Sequence, residues 1–427
     1  MKVITLLLLG FLGTVNAIPN AVLGAIREEK SEFDGVDLSK QLLADAWVDG
    51  TKLPGDWNEE GTVETATISH LMARPKIFGQ DVSLVRAVQR AGALESLEIT
   101  FVDAGSYFGY YQMEKEAAKN LSPKEQQLVM QKELAGKQQE FTTLYETSLA
   151  AVREGIAKYA HDQPKMVKIG KTRALRAEVE QWKMDKHSLR LLADGKRLIR
   201  LSVYAASNPP NDWMDASCEK LDAREKSNKL SEKVTKRNDG TVELATLRSI
   251  PQGYQPYCGL NTLAMAARHF GLHVDEDWLA VAGGFQNTGS AAGSDILGLY
   301  DAIASEAGLH MNRQSKLTVG DVQRAIDQGL PVIVWRRFSP ERNQLHSDFI
   351  SDLQKDPSAT LPDPQTDSER ASWPDQKAPL HASVIVGYHA QRGEFLFLES
   401  WTGNDHPRRM RTAEMEATAY FTFVFEK

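Results

Sequence analysis

Apolar and polar positions along the chain fall into blocks of different period. Residues 63–68 are strand-like, and residues 97–102 (LEITFV) alternate as a half-buried strand does. Between them, residues 81–92 suggest a short helix, with Asp81 as cap and Val82, Val85 and Val88 on one face. Residues 112–159 are mostly helix formers, broken near Leu121-Ser122-Pro123, where Ser122 and Pro123 suit an N-cap and a first helical position. Residues 173–204 read as a β-meander whose clearest turn is Asp194-Gly195. From residue 258 the period becomes helical, placing Leu260, Leu263, Ala264, Ala267 and Phe270 on one face before Gly271 ends the helix. Further helices are predicted over 293–308 and 318–328. Strands follow over 331–338 (PVIVWRRF), 382–388 (ASVIVGY), 394–399 (EFLFLE) and 420–425.

Helices first and antiparallel strands afterwards predict an α+β domain over residues 250–427, preceded by a separate α+β domain over 18–206. Residues 207–249 are expected to form a charged linker. Twelve of the 22 residues in 218–239 are charged, with alternating sign, which suits a solvated helix or tether. Cys218 is then expected to be exposed and able to act as a redox partner of Cys258. A polar, proline-containing insertion at about 339–380 is long for a loop and reads as a lid or a disordered segment.

Residues 1–17 read as a signal peptide. Lys2 is followed by an apolar stretch over residues 3–12 and by the small-x-small site Val15-Asn16-Ala17, with cleavage expected after Ala17. The stretch is about half of the roughly 20 residues a membrane span requires. Together these features predict a secreted or periplasmic protein with no stable membrane span after signal removal. A net charge of −7 argues against nucleic acid as a partner. The sequence does not specify an oligomeric state.

The chemistry concentrates around one of the two cysteines. Cys258 begins a predicted helix, where the positive end of the helix dipole lowers a thiol pKa. Gln252, in PQGYQPYCGL, is six residues earlier and is a candidate oxyanion donor. His381 enters the strand HASVIVGYH as a candidate base, with His389 a weaker choice at its other end. Glu399, at the end of the next strand, is placed to orient His381, and Trp401 to cover their hydrogen bond. His269 and His273 lie toward the far end of the cysteine helix. Gly271 between them and the lack of an acidic partner motif argue against a metal site, and no cofactor is implied.

These segments resemble those of papain-clan cysteine peptidases. The closest resemblance is to the bacterial peptidases that process bacteriocin leaders and to their stand-alone relatives. QGYQPYCGLNTLAMAARHFG resembles the active-site region, HASVIVGY the histidine strand and ESWTGN the papain branch's Asn-Ser-Trp-Gly segment, in the family's order. The resemblance implies a papain-like fold over the C-terminal 40% of the chain and a peptide or protein substrate. It implies Gln252 as oxyanion residue, Cys258 as nucleophile and His381 as base and acid. The family has Asn or Asp as third member where this chain has Glu399, and Asn404 and Asp405 are further choices. Two rival readings keep the fold: a binding protein without turnover, and a thiol acyltransferase. The resemblance assigns no role to the N-terminal domain.

Overall fold

The computed structural model describes residues 31–44, 53–109, 121–160, 162–184, 187–206, 208–253, 255–285, 296–401 and 406–427. The expected signal segment, Asn404 and Asp405 lie outside them. Among the described residues, no helix is long and apolar enough to cross a membrane.

The N-terminal half is built on an eight-stranded antiparallel sheet. Its strands are β1 (Trp57–Val63), β2 (Ala66–Leu71), β5 (Leu84–Arg90), β6 (Ala93–Asp103), β7 (Lys165–Ile169), β8 (Ala177–Lys183), β9 (Ser188–Asp194) and β10 (Leu198–Tyr204). They lie in the order β1-β2-β5-β6-β10-β9-β8-β7, with a small separate hairpin of β3 (Lys76–Ile77) and β4 (Gln80–Asp81). The helix Pro123–Ala157 starts at a capping box formed by Ser122 and Glu125. Its C-terminal half lays Phe141, Tyr145, Val152 and Ile156 on one face of the sheet, against Leu97, Ile99, Leu191 and Leu201. Residues of opposite parity, such as Val179, Leu192 and Leu198, enter a second core shared with the C-terminal half.

Two local expectations change here. Residues 81–92 are not a helix, because β5 is inserted between β2 and β6. The helical spacing of Val82, Val85 and Val88 misled because β5 is covered on both faces: Val85 and Ala87 enter one core, while buried Arg86 meets the C-terminal half. Residues 63–68 are not one strand but the tip of the β1–β2 hairpin, where Glu64 turns the chain with φ of 54°.

The stretch 207–249 is not a solvated linker. It forms the helices Ala216–Glu219 and Ala223–Glu232, then β11 (Thr235–Lys236) and β12 (Thr241–Glu243). Met214, Cys218, Leu230, Leu244 and Leu247 are buried in the C-terminal core, so the domain begins well before residue 250. The charges misled because the helix is amphipathic: Leu230 points inward while Lys229 and Lys233 grip the buried Glu64 carboxylate.

The C-terminal sheet adds β13 (His310–Gln314), β14 (Val332–Arg337), β15 (Leu380–His389), β16 (Glu394–Leu398), β17 (Arg408–Arg411) and β18 (Ala419–Glu426). The order is β11-β12-β15-β14-β18-β13, and β16 and β17 continue from the other side of β15. The helix Cys258–His269 packs against β14 and β15, every residue after Cys258 being buried. The insertion at 339–380 is neither disordered nor an open lid. It folds as the helices Pro340–Lys355 and Asp367–Ala371, bound to the domain by buried Arg342, which pairs with Glu369 and Glu414.

Candidate active site

Cys258 is the first residue of its helix, after Tyr257 as N-cap. Its sulfur therefore lies at the end where main-chain N–H groups lack helical partners. Burial pushes the Cys258 thiol up. A hydrogen bond to His381, that ring's positive charge and the N–H groups of Ala382 and Gly259 outweigh burial and hold the thiol below its usual range. Gly259 lets the backbone come this close. A methyl group there would fall 2.6 Å from Cζ2 of Trp335 and 2.7 Å from Cδ1 of Ile296.

His381 is held from two directions. Its Nε2 lies 2.5 Å from Oε2 of Glu399, so Nδ1 is the nitrogen left for the sulfur. Trp401 stacks on the ring at 3.8 Å between centroids, and Phe338 meets the Trp401 edge at 4.6 Å, covering the imidazole as expected. Burial lowers the His381 pKa, but the Glu399 carboxylate reverses this and raises it to about 9, helped by the bonds to Cys258 and Glu399. Burial also raises the Glu399 carboxyl. His381 and Arg336 overcome that and bring it down to about 2.

Arg336, Ser383 and Ser400 were not singled out from sequence. Arg336 is almost wholly buried; its Nη2 donates to Glu399 Oε1 at 2.6 Å and its Nε to Ser383 Oγ at 3.1 Å. Ser383 Oγ also lies 3.0 and 3.1 Å from the two Glu399 oxygens. Strand register explains the cluster: Arg336 pairs with His381, and two positions along, Val334 pairs with Ser383, so all four share a face. A signal existed in PVIVWRRF, where alternation puts Arg336 on the same face as Val332 and Val334, a costly place for an unpaired charge.

Gln252 is buried and belongs to the same ring of contacts. Its N–H donates to the Ser400 carbonyl at 2.7 Å, its Oε1 accepts from Ser400 Oγ at 2.5 Å, and its Nε2 donates to the Gln255 carbonyl at 2.8 Å. Ser249 Oγ bonds the Glu399 carbonyl at 2.6 Å, and Asn261 Nδ2 bonds the Ile250 carbonyl at 3.1 Å. The segment before Cys258 is thereby tied both to the Glu399 strand end and to the cysteine helix.

The remaining sequence candidates lie elsewhere. His389 Nδ1 accepts from the Arg392 N–H at the far end of β15. His269 Nε2 lies 2.8 Å from the Gly329 carbonyl oxygen, and His273 Nε2 lies 2.9 Å from Asp215 Oδ2. Cys218 is buried, not exposed, with Lys229 Nζ 3.1 Å from its sulfur. Its sulfur lies near Gly271, past the end of the 12-residue helix that Cys258 starts. A helix of that length spans roughly 18 Å, against the ~7 Å between Cα atoms that a disulfide tolerates. Both cysteines are free, and Cys218 is not positioned to lock Cys258.

A half-buried thiol on a helix N-terminus, beside a buried imidazole and carboxylate on an antiparallel sheet, defines a papain-like domain. Residues 244–425 match the model of the Peptidase_C39 like family, so the C-terminal domain is a C39-type papain-like peptidase domain. Among solved structures, a candidate C39-like peptidase from Bacillus anthracis is similar, with 11% identity and a TM-score of 0.30. That match covers 44% of this chain and 98% of the other. No curated protein matches the chain. Family membership supports a cysteine peptidase type of function for this domain.

Proposed function

We propose that the protein is an exported cysteine peptidase in which Cys258, His381, Glu399 and Gln252 carry the reaction. The observation that carries this reading is the His381 ring set between Cys258 and Glu399, with Nε2 2.5 Å from the Glu399 carboxylate, the thiol held low and the imidazole held high. Export is read from the signal segment over residues 1–17, with its apolar stretch at 3–12 and the small-x-small site ending at Ala17.

The ion pair of thiolate and imidazolium is the resting nucleophile. The Cys258 sulfur attacks the peptide carbonyl carbon, and the carbonyl electrons move onto oxygen. The Cys258 main-chain N–H and the Gln252 side-chain amide receive that oxyanion. His381 then passes its Nδ1 proton to the leaving amine, and a thioester remains. Neutral His381 takes a proton from water as the water oxygen attacks the thioester, and collapse of that adduct releases the acid and expels the sulfur as thiolate, restoring the thiolate–imidazolium pair. Glu399 keeps Nε2 protonated and the ring oriented throughout.

Cys258→Ala is expected to lower hydrolysis of labelled casein by at least about 10⁴-fold and to abolish covalent labelling by a thiol-directed peptide electrophile. Retained turnover in that variant would sink the assignment.

A further inference from the structure

The N-terminal domain reaches the loop before Cys258 through residues 103–106. Asp103 ends β6, and its carboxylate is fixed by the N–H groups of Gly105 and Ser106 at 2.9 and 2.8 Å. The same carboxylate reaches across to the C-terminal domain, where Asp103 Oδ2 accepts from Gln255 Nε2 at 2.8 Å. Ser106 Oγ accepts from the same nitrogen at 3.0 Å. Gln255 closes a tight turn with Gln252: its N–H donates to the Gln252 carbonyl at 3.0 Å, and its own carbonyl accepts from Gln252 Nε2 at 2.8 Å. Two residues on, Tyr257 lies against Gly105 so closely that a methyl there would meet the phenol oxygen at 2.2 Å.

The junction behind this contact is not built to come apart. Buried Arg200 pairs with Asp275 and, at 3.2 Å, with Asp277. Buried Arg86 bridges Glu60 at 2.9 Å and Glu276 at 2.7 Å, and Arg268 also binds Glu60, at 3.0 Å. The Glu306 carboxylate accepts the N–H groups of Lys171 and Thr172 at 2.8 and 2.6 Å. Separating the halves would break these buried pairs and hydrogen bonds together and return their charges to water. The two halves also share one apolar core, in which Leu198 and Val179 meet the residues around the cysteine helix. These features do not suit a segment that is released on activation.

We propose that the N-terminal domain is a fixed part of the peptidase site, with Asp103 and Gln255 as positioning residues that set the Gln252 amide for the oxyanion. The proposal rests on the peptidase reading above. In that role Asp103 holds the Gln255 side chain, Gln255 holds the loop, and the loop aims Gln252.

Two probes separate this role from a general structural one. Leupeptin, a peptide aldehyde, forms a tetrahedral adduct whose oxygen needs the oxyanion donors; iodoacetamide alkylates a thiolate by displacement and does not. In the full chain, Gln255→Leu and Asp103→Asn are each expected to weaken leupeptin binding and to slow casein hydrolysis about tenfold. The rate of Cys258 alkylation should stay within about twofold of the parent. Comparing leupeptin binding with alkylation in one sample corrects for any loss of folded protein. In a Gln252→Ala background, adding Gln255→Leu should cause no further loss. Parental leupeptin affinity and hydrolysis in Gln255→Leu would overturn the proposal, as would an equal loss in the Gln252→Ala background. A parent chain that neither hydrolyses casein nor binds leupeptin would overturn the peptidase reading itself, and this proposal with it.

Discussion

His269 and His381 are both enclosed imidazoles, and their titrations are displaced in opposite directions. Burial and the nearby Lys233 charge drive His269 down to about 3, against the smaller opposing effects of the Gly329 carbonyl at its Nε2 and of the Glu64 carboxylate. Burial pushes His381 down as well, yet the Glu399 carboxylate lifts it to about 9. Enclosure sets the cost of charging the ring, and the partner decides whether that cost is met. The helix dipole is the smaller effect. His269 is the last residue of the cysteine helix, where a dipole favours a cation by up to ~2 kcal/mol. A shift from 6.5 to about 3 corresponds to roughly 5 kcal/mol in the other direction.

The contrast can be tested from its reactive side first. His381→Ala should reduce hydrolysis by at least about 10³-fold, and Glu399→Gln by about 100-fold, because the amide still orients the ring but cannot hold its charge. The parent should lose activity on the alkaline side near pH 9, as His381 gives up its proton. In Glu399→Gln that limb should move to lower pH in a kcat/KM profile. An unmoved limb would mean the carboxylate does not raise His381.

Arg336 is the next place to press. Arg336→Met leaves Glu399 buried without its guanidinium and should cost about 3 kcal/mol in urea unfolding. A loss below about 1 kcal/mol would show that Ser383, His381 and Arg408 suffice to hold the carboxylate.

The smallest effect belongs to His269. Its folded value lies below the unfolded 6.5, so its contribution is complete above that pH and is lost as pH falls from 6.5 toward 3. At pH 5 the loss amounts to about 2 kcal/mol. His269→Gln should remove that part of the acid sensitivity in paired unfolding curves at pH 7 and pH 5. If the two proteins lose stability equally, His269 is not neutral in the fold.

Much of the C-terminal domain was legible because its signals are local. The apolar face of residues 258–270 marks a helix that begins at the cysteine, and uninterrupted apolar runs mark β14, β15 and β16. Chain order then brings His381 and Glu399 together, since adjacent antiparallel strands joined by a short turn align their ends. The same geometry puts the Glu399 carboxylate on His381, at the place where the resembled family has Asn or Asp.

What was hidden depends on contacts between distant parts of the chain. Periodicity reports which face of an element is apolar, but not what covers it. Strand β5, covered on both faces, therefore mimicked a helix, and the charged stretch 207–249 read as a tether although Lys229 and Lys233 close on Glu64 and Leu230 enters the core. Arg336 and Glu399 are 63 residues apart, and Asp103 and Gln255 are 152 apart. Sequence alone determined a thiol at a helix start, a histidine at a strand start and an acid at the next strand's end. Only the tertiary structure decided that burial and a paired guanidinium hold that acid ionised, and that the N-terminal sheet stands directly behind the loop that leads to the cysteine. The reason is physical: the charge state of a buried group depends on its whole surroundings, and those are assembled only when the two sheets pack.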